Sequence, residues 1–303
     1  MKIVLQSYQI LISLIISKVK ELTIRIIFLV QNIIINFKIF ILFLFFIGCS
    51  ATPSFEQREL LMLSLLEENR YKKSIFYTKY FDIFSLSSIG DCKNKQITIY
   101  IEGDGLSWIT KNILSKNPTP SNPIALKLMM QDNSKCKIYL SRPCQYTNIE
   151  KCENKFWNEA RFSNDVIKAY IEILDSIKRD YKNSSFKIIG YSGGGAIATI
   201  LSAKREDITF LITVAGNLDI EKWINTHNIS KLNESLNPAD FTKKLENLEQ
   251  LHLIADDDKN ISIDVFLSFK NRFENSKNVK HKIFNDFTHS KGWVENWNNI
   301  INN

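Results

Sequence analysis

From residue 97 onward, short β-rich runs alternate with stretches of helical spacing, and several of the runs are apolar on both faces. They are ITIYIEG (97–103), KIYLSR (137–142), FKIIGYS (186–192), ITFLITVAG (208–216), LHLIAD (251–256) and VKHKIFND (279–286). A strand apolar on both faces belongs inside a sheet that helices cover on both sides. Regular alternation with helices then predicts an α/β fold, a mostly parallel central sheet joined by right-handed crossovers. The clearest helix spans 156–181, where Phe162, Val166, Tyr170, Ile173, Leu174 and Ile177 fall on one face. Upstream, 54–69 reads as an amphipathic helix and 74–86 as one or two antiparallel edge strands. Residues 217–247 have weaker β character and carry Trp223, His227 and the turn signal Asn237-Pro238, which together suggest a cap.

With 303 residues, 45% of them hydrophobic, the chain can bury a large core. Its net charge of +7 is concentrated at one end. Residues 1–48 carry Lys2, Lys18, Lys20, Arg25 and Lys38 against Glu21, which leaves only +3 for everything downstream. No dense Lys/Arg cluster remains to neutralise a row of phosphates, so a nucleic-acid partner is not expected. Residues 39–50, IFILFLFFIGCS, read as a secretory signal ending in a lipoprotein box, with Cys49 as the lipidated residue. The competing reading is a transmembrane anchor over about 24–47, interrupted by Gln31, Asn32 and Lys38. Either way, residues 1–49 form a signal or anchor, 50–303 form the folded domain with a cap at 217–247, and that domain lies outside the cytoplasm.

Export makes the remaining cysteines interpretable. Cys92, Cys136, Cys144 and Cys152 are even in number and would meet an oxidising compartment. Cys144 and Cys152 bracket a short loop, whereas Cys92 and Cys136 each precede an apolar run, so adjacent parallel strands would bring those two together. Neither a C-x-x-C nor a nearby histidine pair supports a metal site.

Only 10 glycines occur in the chain, and four of them fall at 190 and 193–195, around Ser192. Gly190-Tyr191-Ser192-Gly193-Gly194 fits G-x-S-x-G at the junction of a strand and a helix, where the serine occupies a strained turn and the flanking positions must be small. The following helix starts at the serine, so the Gly193 N–H is positioned to stabilise an oxyanion. The same residues formally fit G-x-G-x-x-A, but the next strand has no acidic residue at its tip to hold a ribose. In a nucleophile-elbow fold the partners follow in the order Ser, acid, His, each at the C-terminal end of a strand. His289 follows the last strand and is the expected base; His227, His252 and His281 read as packing or surface residues. Among the acids, Asp258 ranks ahead of Asp257, and Asp219 stands third. The loop YIEGDGLSW (100–108) supplies the second oxyanion donor, expected to be the N–H of Asp104, whose side chain must then point away. Trp108 and Tyr191 are expected to line the substrate pocket.

Taken together, YIEGDG, PTPSNPIAL, RPCQY, GYSGGGA, TVAGNLD and SLNP resemble the α/β-hydrolase superfamily, and more narrowly its bacterial lipoprotein-like members, from about residue 80 onward. The resemblance implies a triad of Ser192, Asp258 and His289 acting on an ester or related acyl bond of a small-molecule or lipid substrate. Such chemistry requires no cofactor and no metal. Glu102 replaces the histidine of many lipase oxyanion loops. Arg142, at the same sheet edge, is positioned either to bind an acidic substrate group or to fix the loop carrying Cys144.

Overall fold

A computed structural model describes residues 2–45, 52–67, 71–182 and 185–302. The chain divides into two compact units, Met1–Thr52 and Pro53–Asn303. In the first, residues 2–45 form a helix, α1 (Lys2–Phe45). Within it Ile12–Ile41 has a mean hydropathy of 1.9, and its length and composition suffice to cross a membrane. Cys49 lies outside the described residues.

The second unit opens with α2 (Phe55–Glu67), then the strands β1 (Lys72–Tyr77), β2 (Asp82–Ile89) and β3 (Ile97–Ile101). A small hairpin follows, β4 (Trp108–Thr110) and β5 (Ile113–Leu114), then α3 (Ile124–Gln131) and β6 (Cys136–Leu140). Next come α4 (Asn164–Tyr181), β7 (Phe186–Tyr191), α5 (Gly193–Lys204) and β8 (Ile208–Val214). The chain finishes with α6 (Ile220–His227), α7 (Thr242–Leu245), β9 (Glu249–Ala255), α8 (Ile263–Lys270), β10 (Val279–Phe284) and α9 (Trp293–Asn302).

Eight strands form one sheet in the order β1-β2-β6-β3-β7-β8-β9-β10. The pairs β1–β2 and β2–β6 are antiparallel, and every pair from β6 to β10 is parallel. The expected antiparallel strands are therefore both present, but only β1 is an edge; β2 is paired on both sides. β3 is buried at all five positions because side chains of period two go to different helix layers. Ile97, Ile99 and Ile101 pack with Val166, Tyr170 and Ile173 of α4 and Ile197 of α5. Tyr100 points the other way, into a cluster with Met129 of α3 and Trp293 and Trp297 of α9.

The predicted helix 156–181 is shorter than expected. A 3₁₀ turn covers Asn154–Trp157, and α4 begins only at Asn164, where the Ser163 hydroxyl accepts the Val166 N–H and caps it. The intervening bend carries Arg161. Residues 217–247, expected to form a cap, contain α6, a 3₁₀ turn (Pro238–Phe241) and α7. Residues around α6 face the cleft described below, whereas Ala239 and Leu245 pack into a core cluster with Phe266 and Phe269.

Two disulfides join Cys92 to Cys136 and Cys144 to Cys152, with Cα–Cα separations of 5.7 and 5.8 Å. The first lies where the chain enters the parallel neighbours β3 and β6. The second closes an 8-residue separation in the loop after β6.

Candidate active site

Ser192 sits between β7 and α5 with φ 51° and ψ −118°, a conformation that L-residues rarely adopt. Its N–H donates to Val214 of β8, which fixes the turn to the sheet. The glycines beside it are required by contact. A Cβ on Gly190 would lie 2.2 Å from the Gly194 carbonyl oxygen, and one on Gly194 would lie 2.3 Å from that of Ile101. Strand, helix and neighbouring strand thus meet backbone to backbone at the serine.

The loops after β9 and β10 bring two further groups to it. The Ser192 hydroxyl lies 3.0 Å from His289 Nε2, and His289 Nδ1 lies 2.8 Å from Asp258 Oδ2. A carboxylate accepts, so the proton in the second contact sits on Nδ1 and leaves Nε2 as the acceptor facing the serine. The Asp258 side chain is fully buried, and its other oxygen accepts the N–H groups of Asn260 and Ile261, both at 2.8 Å. The His289 carbonyl accepts from the Tyr191 hydroxyl at 3.0 Å and from the Trp293 indole at 3.1 Å. Tyr191, expected in the substrate pocket, both lines the cleft and anchors the histidine's backbone.

The alternative acids are engaged elsewhere. Asp257 pairs with Lys259 at the surface. Asp219 caps α6 and binds Ser268 and Arg272. His252 is enclosed in the core against Thr213, where burial pushes its imidazole down to about 3. His227, on α6 beside Trp223, also borders the cleft, with Nε2 2.6 Å from the Asn260 carbonyl oxygen.

The loop after β3 faces the serine from the other side. Among the described residues, neither the Asp104 N–H nor the Gly193 N–H donates to a protein acceptor. The Asp104 side chain accepts from Arg142 Nη1 at 2.6 Å and from Arg161 Nη1 at 2.9 Å. Burial works to raise this carboxyl, and the Arg161 and Arg142 guanidiniums overcome it and hold it below the ordinary range. Glu102, one residue after β3, is 1% exposed and has no ion-pair partner among the described residues. It accepts the N–H groups of Gly103 (2.9 Å), Ala125 (3.3 Å) and Leu126 (3.4 Å), together with the Tyr139 hydroxyl (3.2 Å). Even against those donors, burial pushes its carboxyl up to about 7.

Ser192 and His289 open onto a cleft of about 920 Å³. Trp108 of β4, Trp223 and Ile229 are among the residues that line it. Arg142 does not reach this space. It is 3% exposed and runs beneath Asp104, with Nη2 on the Arg161 carbonyl. The arginine that borders the cleft is Arg161, which had no motif to announce it. Asn260 is likewise new: its Nδ2 lies 3.2 Å from His289 Nε2 and its carbonyl accepts from the Trp223 indole at 3.1 Å, linking histidine to α6. Among the described residues, no group of three or more His, Cys, Asp or Glu side chains is arranged to hold a metal ion.

No protein-family model matches the sequence, and no curated protein is significantly similar to it. Solved structures are similar in fold. A serine hydrolase homologue from Coxiella burnetii superposes with a TM-score of 0.52 at 13% identity, over 76% of this chain and 93% of that one. Est1E from Butyrivibrio proteoclasticus gives 0.52 at 13%, over 76% and 95%. The esterase Pf2001 from Pyrococcus furiosus gives 0.51 at 12%, over 77% and 90%. With the parallel sheet, the strained serine turn and the loop order already described, these likenesses establish that the chain has the α/β-hydrolase fold.

Proposed function

We propose that the protein is an exported serine hydrolase that cleaves an ester or related acyl bond through a covalent acyl-enzyme. One observation carries this reading: the unbroken series from Ser192 Oγ to His289 Nε2 (3.0 Å) and from His289 Nδ1 to Asp258 Oδ2 (2.8 Å). His289 takes the hydroxyl proton as Ser192 attacks the acyl carbonyl, and it returns that proton to the leaving alcohol. Water, deprotonated by the same imidazole, then releases the acid. Asp258 holds the ring in the tautomer that presents Nε2 and offsets the charge of the imidazolium. The N–H groups of Asp104 and Gly193 receive the oxyanion. The two disulfides and the apolar helix support an exported, membrane-anchored enzyme, attached by that helix or by lipid on Cys49.

A fluorophosphonate probe tests the reading without knowledge of the substrate. Wild type should be labelled at Ser192 and Ser192→Ala should not. A folded wild type that neither reacts nor cleaves any simple acyl ester would instead be a binding protein on a hydrolase scaffold.

A further inference from the structure

Two buried guanidinium groups lie in the loops beside Gly193, the residue after the serine, and a single carboxylate answers both. Arg142 and Arg161 each bind one oxygen of Asp104, so the trio carries a net charge of +1. It lies directly against the residue after the serine: a Cβ on Gly193 would meet Asp104 Oδ1 at 2.1 Å and Arg142 Nη1 at 2.9 Å. Uncompensated charge in a poorly solvated place is costly, which makes its presence beside a reactive group informative.

The two arginines have different tasks. Arg142 is turned inward, against the Phe162 ring at 5.2 Å. Arg161 donates Nε to the Asn158 carbonyl at 2.7 Å and Nη1 to Asp104, with its Cζ 5.9 Å from the Trp223 ring centre at the cleft wall. Its Nη2 has no acceptor among the described residues and is not enclosed. The rest of the cleft adds little counter-charge. Among the described residues only two acids line it, Asp104 and Glu102, and burial keeps Glu102 protonated to about neutrality. Lys111 contributes a further cation at the rim.

Resting on the reading of Ser192 as nucleophile, we propose that the natural substrate carries an anionic oxygen group close to the scissile carbonyl, and that Arg161 is the specificity residue that binds it. The guanidinium fork suits a carboxylate or phosphate oxygen, and Trp223 confines it from one side.

The test compares matched esters with the full-length protein in neutral detergent. Mono-p-nitrophenyl succinate against p-nitrophenyl butyrate places the anion on the acyl side. The acetate ester of 4-hydroxybenzoate against phenyl acetate places it on the leaving group. The anionic member of at least one pair should have the higher kcat/KM by about tenfold or more. That preference should shrink as salt is raised. Arg161→Gln should abolish it and Arg161→Lys should retain part of it. Should the glutamine variant fail to fold, the wild-type ratios and their salt dependence still decide. Neutral esters cleaved equally well or better in both pairs, by a protein whose Ser192 is labelled by the fluorophosphonate, would overturn the anion proposal and leave the hydrolase reading standing. Absence of labelling together with absence of any ester cleavage would remove both.

Discussion

Glu102 should make the protein lose stability as pH rises toward neutrality, and Glu102→Gln should remove that loss. In the folded chain this carboxyl holds its proton up to about 7, against 4.5 for an ordinary glutamate. The folded state therefore binds a proton that the unfolded state has released between those values, so the stabilisation is complete below 4.5 and disappears as pH passes 7. Linkage converts the interval into about 3 kcal/mol. Glutamine keeps an oxygen for the Gly103 and Ala125 N–H groups but sets its amide against the Leu126 N–H, a pH-independent cost of about 1 kcal/mol. The two curves should cross: wild type is the more stable at pH 4.5 by about 1 kcal/mol, and the variant at pH 8 by about 2 kcal/mol. Urea unfolding at half-unit pH steps, followed by the fluorescence of the fully buried Trp293 and Trp297, reads this directly. A stability difference that stays constant from pH 4.5 to 8 would refute the reasoning. It would mean that the backbone donors around Glu102 outweigh its burial and keep it ionised throughout.

Asp258→Asn should lower kcat about 10⁴-fold by presenting the wrong histidine tautomer, whereas Asp257→Asn should stay near wild type; an inverted result would move the acid by one residue. Removing the Cys92–Cys136 link, which spans 44 residues, should cost about 4 kcal/mol against about 2.5 for the 8-residue Cys144–Cys152 link, measured by urea unfolding of the paired Cys→Ser variants. Equal losses would show that loop closure is not the governing term. Gly194→Ala sets a methyl 2.3 and 2.5 Å from the backbone oxygens of Ile101 and Glu102, so α5 must shift. A loss of about 1–3 kcal/mol with slower probe labelling of Ser192 is expected, and wild-type behaviour in both would contradict the close packing.

Several of the parallel strands were legible because they carry apolar residues on both faces, the pattern of a doubly covered sheet. The serine turn was legible because three backbones crowd together there and glycine is the one residue that fits. Chain order alone brought His289 and Asp258 forward. Other features have no local signature. The 158–163 bend ends in a single capping serine, yet the helical spacing around Phe162 continues straight through it. Arg161 matters because Asp104, 57 residues earlier, draws on it, and Arg142 faces inward because it binds the other oxygen of that same aspartate. Such pairings depend on loops meeting at one sheet edge, which periodicity does not encode. The β4–β5 hairpin was missed for a simpler reason: with exposed strands of three and two residues, it is too short to show a period.

The long sequence separation within the hydrogen-bonded series has a kinetic consequence. His289 meets Ser192 across 97 residues, with β8, β9 and β10 all laid down between them. On the reading proposed above, a folding intermediate that has completed β7, α5 and β8 already holds the strained serine turn but lacks its base, so it is inert. Reactivity then arrives only when β9 and β10 have closed their loops, contacts of long sequence separation that carry a large chain-entropy cost. Covalent labelling of Ser192 during refolding would therefore clock a late docking event, and it should lag behind signals from Tyr170 and the α4 face of the sheet.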